Sequence, residues 1–468
     1  MNDSFDYIVI GGGSAGYASA SAAVKLGLRV AVVDGARELG GLCILRGCMP
    51  SKTLLESAHR AEAIRGAGEF GLRAEYFGAD AAAIRARKRR LIGEFADYRR
   101  SQLEDRRFEL LRGPARFVGP HAIEVRLRDG GLRRLEGRAF LVATGSEITV
   151  PPIPGLAEAG FVTSDDVLDA DTLPESVCVL GGGAIALELA SYFSGLGVPT
   201  TVIQRSAQVL REMDADVADA LTDALQSRGI VVHRNTRISR ISRDGETRRV
   251  HFTDSDDREH VAEAATIVCA LGRTPTTRDL GLDAAGVALD GPRIVVEPTQ
   301  QTNVPHIFAA GDVCGPHEVV HLAIQQGEVA ARNSARQLGN LGGEPEQMDY
   351  TLKLFAVFTH PQAAAVGLTE REAAGQGIDF LAAKYPFADH GKSIVRGETH
   401  GFVKLIVEKT GRRIIGAACV GPEASELIHE VVVAMRFGAT AAQLATTPHY
   451  HPTLSEIWTY PAEELAGI

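Results

Sequence analysis

Tryptophan occurs once, methionine five times and cysteine six times in a chain of 468 residues. Six scattered cysteines at this length exclude a disulfide-stapled scaffold, which belongs to short secreted chains. Basic charge is in deficit. Lysine and arginine number 49 against 59 aspartates and glutamates, for a formal net charge of −10. Nucleic acid and anionic membrane surfaces are therefore not expected as partners. No apolar run reaches the ~18 residues that a membrane-spanning helix needs. The N-terminal stretch through Ile10 has neither the basic leader nor the long apolar segment of a secretory signal, so the expected location is cytoplasmic. Low-complexity segments are also missing.

What is present is an ordinary globular composition, 45% hydrophobic and 23% charged. The length suits two to four packed units of roughly 150 residues each. Fifty glycines point to many tight turns. Residues 5–10 read as a buried strand, 14–26 as a helix of small residues suited to close packing, and 29–33 as a second strand ending at Asp34. That is one βαβ unit. A second begins near residue 176, with strands at 176–180 and 200–204 around a turn and helix at 181–197. The repetition suggests two nucleotide-binding domains related by duplication. Residues 55–110 are charged and helix-prone, and the charge reads as a solvated helix face rather than a binding patch. Residues 113–143 alternate as antiparallel strands do, 147–156 is a proline-rich crossover, and 266–271 and 305–312 hold further strands. A third region with mixed strand and helix character starts near 350. Cys178 and Cys269 lie in apolar runs and read as small core residues.

Two glycine turns carry chemical meaning. Gly11, Gly13 and Gly16 form G-x-G-x-x-G between a strand and a helix. The first glycine permits the turn, the second lets a pyrophosphate approach the backbone, and the third allows close helix–strand packing. The phosphate then sits on the helix N-terminus. Asp34, at the end of the second strand, is placed to bind a ribose diol. The second turn has Gly181 and Gly183, with Ala186 in the third place. Its following strand ends in Gln204 rather than an acid, with Arg205 and Arg211 nearby. Two guanidiniums without an acid favour a 2′-phosphate, so NADP(H) is expected over NAD(H).

The stretch 40–53 holds Cys43 and Cys48 at the start of an expected helix. The spacing permits a local disulfide, and a helix N-terminus lowers a thiol pKa. By spacing alone, a redox pair, a metal site and two inert thiols all remain open. The flanking motifs resolve this. Both glycine turns, G-G-x-C-x4-C-x-P-S-K, Ala143-Thr144-Gly145, Gly272-Arg273-x-Pro275, Ala310-Gly311-Asp312, Phe358-Thr359-x-Pro361, 366–370 and 449–456 occur in order along the whole chain. In these motifs the chain resembles the flavoprotein pyridine nucleotide–disulfide oxidoreductases, and most of all their dihydrolipoamide dehydrogenase branch.

The resemblance implies an α/β fold: two Rossmann-like dinucleotide-binding domains and a C-terminal α+β dimerisation domain. FAD would bind residues 1–148 and 276–345, the nicotinamide 149–275, and 346–468 would form the interface. Gly11, Gly13, Gly16, Asp34, Thr144, Gly145 and Asp312 would hold FAD. Gly181, Gly183, Arg205, Arg211 and Arg273 would serve the nucleotide sites. Cys48 would be the flavin-side sulfur and Cys43 the interchange thiol. Lys52 would lie near the flavin and pair with Glu188, where a cation stabilises anionic reduced flavin. His451, held by Glu456, would be the acid–base group, because imidazole titrates in the range that thiol exchange requires. In this family that histidine comes from the partner subunit, so a homodimer is implied. No metal site is expected.

Several positions depart from the family pattern. Leu42 replaces a threonine, Ala184 replaces a bulkier residue beside the nicotinamide pocket, and Tyr450 separates His449 from His451 where a small residue is common. The sequence ends Ala466-Gly467-Ile468 without a cysteine pair, which argues against a mercuric reductase or a high-molecular-weight thioredoxin reductase. The C-terminal motif points to a small dithiol or disulfide, including a lipoyl group on a carrier protein, whereas the Gln204 region points to NADPH-driven reduction of another small disulfide. A flavoprotein reductase of quinones or metals is the alternative of a different class, and the complete Cys43, Cys48, His451 and Glu456 set argues against it.

Overall fold

The computed structural model describes residues 3–467. The chain divides into two compact units. One comprises the chain up to Pro50 with Arg87–Thr149 and Arg273–Asp349; the other comprises Ser51–Ala86, Val150–Gly272 and Tyr350 onward.

In the first unit, β1 (Ser4–Ile10), α1 (Ser14–Lys25) and β2 (Val30–Asp34) form the expected βαβ turn. Along the chain follow α2 (Gly41–Leu45), α3 (Cys48–Arg65) and α4 (Ala81–Leu103), of which Ser51–Ala86 is counted with the second unit, and then, in the first unit, β3 (Glu109–Arg112), β4 (Ala115–Gly119), β5 (Ala122–Arg126) and β6 (Leu132–Val142). The sheet runs β3-β2-β1-β6-β5-β4, and the short strand Ile307–Ala309 joins β6. Alternation in 113–143 implied antiparallel pairing throughout, and β6 departs from it. Its first half alternates in burial and pairs antiparallel with β5, while its second half is buried on both faces and runs parallel to β1 and to Ile307–Ala309. Full burial of Ala139, Phe140, Leu141 and Val142 matches the continuous apolar run of a parallel central strand. The small residues of α1 admit the helix Val320–Gln337 closely: a Cβ on Gly327 would stand 2.3 Å from the Ala15 carbonyl oxygen.

The second unit holds a parallel sheet of Val231–His233, Thr200–Ile203, Val177–Leu180, Thr266–Cys269 and Val162–Thr163. A three-stranded antiparallel ribbon accompanies it. The C-terminal sheet is antiparallel, ordered Leu354–Val357, Gln362–Gly367, Ile414–Gly421, Phe402–Glu408, Phe380–Pro386. The helix Ala424–Arg436 packs its apolar stripe of Leu427, Ile428 and Val431 into the core that also buries Val403, Leu405, Ala417 and Trp458. Cys178 and Cys269 are core residues, as their apolar runs implied. Among the described residues no helix is long and apolar enough to cross a membrane.

Candidate active site

The first unit carries the glycine turn and both cysteines. Gly11 adopts φ +108°, and a Cβ there would meet the Ala143 carbonyl oxygen at 2.3 Å. A Cβ on Gly16 would stand 1.8 Å from the Gly11 oxygen. Only glycine fits either place. Gly13 caps α1 without a side-chain hydrogen bond, so the first helical N–H groups are left to an anion. Asp34 is buried; its Oδ2 accepts the Gly12 N–H at 2.9 Å and its Oδ1 the Ala36 N–H at 2.8 Å. The carboxylate thus braces the turn and keeps lone pairs for a ribose hydroxyl. Backbone space at Gly11 and Gly16, an uncapped helix start and a buried acid fit an adenine dinucleotide.

Asp312 and Arg273 belong to one polar chain. Ser146 Oγ donates to Asp312 Oδ2 at 2.6 Å and accepts from Arg273 Nε at 2.8 Å. Arg273 also donates to the Ser146 carbonyl at 2.7 Å, so its guanidinium holds the segment that positions Asp312. Thr144 Oγ1 donates to the Thr276 carbonyl at 2.7 Å, and Gly145 turns the chain at φ +71°.

Cys43 lies on α2 and Cys48 opens α3; both are half-buried. The connection closes tightly, since a Cβ on Gly47 would lie 3.2 Å from the Cys43 Cα. A thiol in the first turn of α3 faces the positive end of the helix dipole, which favours thiolate. Sequence reasoning missed Arg99 of α4. Its guanidinium lies 4.2 Å from the Tyr17 ring centroid, and its Nε is buried without a hydrogen-bond partner among the described residues. Burial holds Arg99 below its ordinary pKa, while Tyr17, Cys43 and Tyr98 act in the opposite sense. A cation that feels Cys43 stabilises the Cys43 thiolate in return. Arg99 sits in a charged helix with no motif around it, so the sequence held no signal for it.

In the second unit, the expected Lys52–Glu188 pair is made. Lys52 Nζ is 2.8 Å from both carboxylate oxygens of Glu188. Glu188 is buried on the helix Ala184–Gly195, and its Oε1 also accepts the Phe358 N–H at 3.0 Å. The Phe358 ring lies under the ammonium, 4.6 Å from Nζ. The Phe-Thr-x-Pro motif thus supports the ion pair. Gly181, at φ +120°, and Gly183 repeat the first turn's design, and Gly183 caps its helix without a side-chain bond. Where Asp34 braces Gly12, here the Gln204 side chain lies against Gly182, 2.8 Å from the place of a Cβ. Arg205 and Arg211 are exposed, and neither forms an ion pair among the described residues. This turn too fits a dinucleotide.

His451 and Glu456 also meet. His451 Nδ1 is 3.0 Å from Glu456 Oε2; the imidazole is 78% exposed and the carboxylate 11%. The second oxygen, Oε1, faces Nε2 of the fully buried His390 at 3.4 Å. His449 pairs with Glu430 at 2.5 Å and not with the His451 carboxylate. His390 was not foreseen, because no spacing ties residue 390 to 456.

The profile described as pyridine nucleotide-disulphide oxidoreductase matches residues 5–327, and that of the family's dimerisation domain matches residues 355–462. The dihydrolipoyl dehydrogenase of Chlamydia muridarum is 34% identical over 99% of this chain and 97% of its own length. The mercuric reductase of Bacillus cereus is 33% identical over 97% of this chain and 70% of its own. Among solved structures, the HOCl-induced flavoprotein disulfide reductase RclA of Escherichia coli superposes with a TM-score of 0.85 at 27% identity, covering 98% of this chain and 99% of that one. The two α/β nucleotide turns, the C-terminal antiparallel sheet and these matches make one statement: the chain belongs to the pyridine nucleotide–disulphide oxidoreductase family, FAD- and NAD(P)H-dependent enzymes that act on sulfur groups.

Proposed function

We propose that the protein is a dihydrolipoamide dehydrogenase-like dithiol–disulfide oxidoreductase working through Cys43 and Cys48. The observation that carries this is the His451–Glu456 pair: an exposed imidazole whose Nδ1 is held by a nearly buried carboxylate. That arrangement leaves Nε2 available to take and return a thiol proton.

One substrate thiol gives its proton to His451 and attacks the Cys43 sulfur of the oxidised pair. An S–S bond forms to substrate and the Cys43–Cys48 bond breaks, leaving the electron pair on Cys48. His451 loses that proton to solvent, takes the proton of the second substrate thiol and gives it to Cys43, as this thiol attacks the substrate sulfur bound to Cys43, breaks that bond and closes the cyclic disulfide. Bound FAD supplies the two-electron link between this dithiol and the nicotinamide. Lys52, fixed by Glu188, places a cation where negative charge develops. His451 acts on the cysteines of a second copy in a homodimer. Val433, Phe437 and Tyr450 support a subunit contact, being 57%, 83% and 84% exposed in one chain.

A second reading concerns the nicotinamide. Exposed Arg205 and Arg211 with no acid at Gln204 favour NADP(H), and with it NADPH-driven reduction of another small disulfide. Steady-state turnover of lipoamide, dihydrolipoamide and glutathione disulfide with each nicotinamide separates the readings. Lipoamide chemistry is expected to exceed glutathione disulfide reduction at least ~10-fold, a difference of ~1.4 kcal/mol in barrier. It is also expected to vanish in Cys48→Ser. Comparable glutathione turnover, or an active Cys48→Ser, overturns the proposal. Arg205→Ala and Arg211→Ala should shift the NADPH-to-NADH ratio towards NADH; an unchanged ratio removes the second reading.

A further inference from the structure

Glu456 does not serve His451 alone. Its Oε2 meets His451 Nδ1 at 3.0 Å, and its Oε1 faces Nε2 of His390 at 3.4 Å. On the far side of His390, Nδ1 lies 2.9 Å from Ser393 Oγ. His390 and Ser393 are fully buried, and Glu456 is 8% exposed. The order is Ser393, His390, Glu456, His451, running from the core to the surface.

Hydrogen-bond chemistry assigns the protons. An ionised carboxylate only accepts. His390 Nε2 is buried and makes no well-aligned hydrogen bond among the described residues; it faces Glu456 Oε1 at 3.4 Å, and opposite an acceptor that nitrogen carries the hydrogen. Nδ1 then holds a lone pair, and the Ser393 hydroxyl donates to it. The same logic puts the hydrogen of neutral His451 on Nδ1 and leaves its outward Nε2 basic. We infer that His390 is a positioning residue, whose neutral N–H stands against Oε1 of Glu456 so that the carboxylate's orientation and single charge are committed to His451. This rests on the reading of His451 as the acid–base group.

Charge balance makes the arrangement asymmetric. One carboxylate stands between two imidazoles and compensates one positive charge. When His451 takes a proton, His390 has to stay neutral. Burial pushes the His390 pKa below its ordinary value; Glu456 opposes this and His451 adds to it. The other groups facing the cluster are the Tyr460 ring, 6.4 Å from that of His390 and stacked on Tyr385, with Asp389 and Glu463 acting on Tyr460. None supplies a cation to His390. The Phe387 ring closes the remaining side at 6.4 Å.

His390→Phe fills the space but cannot donate to Glu456, while His390→Asn keeps a donor. With Oε1 unserved, more of the Glu456 charge falls on His451 and its pKa rises. The acid limb of kcat/KM for dihydrolipoamide, where His451 has to be neutral, should move up by about half a unit or more in His390→Phe. On the acid side of that limb kcat/KM should fall about three-fold or more. His390→Asn should restore most of the difference. Ser393→Ala, a smaller change, should move the limb the same way by less, because the tautomer loses its lock. A displaced limb with FAD content and Tm near wild type supports the role. An unmoved limb in both a folded His390 variant and Ser393→Ala overturns it and leaves a packing role. If His451→Gln itself turns over dihydrolipoamide normally, the reading of His451 fails instead, which the His390 series would not reveal.

Discussion

A carboxylate has two oxygens, and Glu188 and Glu456 divide theirs in opposite ways. Glu188 grips one ammonium with both and adds a backbone N–H, so Lys52 is held as a fixed charge. Glu456 turns one oxygen towards each of two imidazoles, one exposed and one buried. The first arrangement suits charge stabilisation and the second suits proton transfer. Arg99 adds a third device, a guanidinium seated on the Tyr17 ring, with Nε free of hydrogen bonds among the described residues, that interacts with Cys43. Arg99→Met should slow alkylation of Cys43 at pH 7 by about three- to ten-fold, one pKa unit being ten-fold in thiolate. The measurement is the rate of iodoacetamide modification against pH in a Cys48→Ser background; a coincident curve would show that the cation does not act on the thiol. The expected pairs Lys52–Glu188 and His451–Glu456 were legible because the family motifs carry both members. Arg99 and His390 were not, because each works through a neighbour brought up by folding, Tyr17 and Glu456, and no local pattern marks such a neighbour.

At the scale of elements, the strand Phe402–Glu408 buries a lysine. Lys404 is fully buried, and its Nζ lies 2.8 Å from Asp214, Asp216 and Glu370. The three acids form a cluster of cation-site geometry, and the lysine ammonium is its cation. Burial alone would lower the Lys404 pKa, but hydrogen bonds to the three carboxylates hold it above the ordinary value. Asp214 caps the helix Ala215–Ser227, and Glu370 begins the helix Glu370–Gly375, so one side chain ties a strand to two helix starts. Lys404→Met would leave the carboxylates facing one another and should cost about 3 kcal/mol, the low end for a broken buried pair because Glu370 is partly exposed. Calorimetry checks this, and a Tm within a degree of wild type would refute it. Periodicity located the elements well: the small-residue run 14–26 forms α1, Ser14–Lys25. It failed for β6, where one strand changes partner and burial midway. Lys404 in an apolar strand was likewise silent, since the acids that neutralise it come from residues 214, 216 and 370.

At the scale of the whole molecule, stability should depend on pH through one buried and three half-buried histidines. His390, His59, His306 and His233 all have pKa values lowered, chiefly by burial. A histidine depressed in the folded state binds a proton in the unfolded chain first. The stabilisation is therefore present above the unfolded pKa near 6.5 and is lost as pH falls below it. Glu62 and Asp216 are depressed as carboxylates, held down against burial by His360 and Arg228 and by Lys404 and Lys384 respectively. They add a second loss only below about pH 4.5. Tm should fall between pH 7 and pH 5, and His390→Asn should flatten part of that slope. A Tm constant or rising across this interval would contradict the assignment.

The sequence by itself determined the repeated strand–turn–helix units, because backbone space at Gly11 and Gly16 is a local requirement. It also determined the family, because its motifs stand in fixed order along the whole chain. Tertiary structure decided what surrounds each reactive group: the Ser146 link between Arg273 and Asp312, the ring of Phe358 under Lys52, and the second imidazole on Glu456. These contacts join residues up to 306 positions apart in the chain, as Lys52 and Phe358 are. Electrostatic environment is a property of distance in space, and only the folded chain fixes that distance.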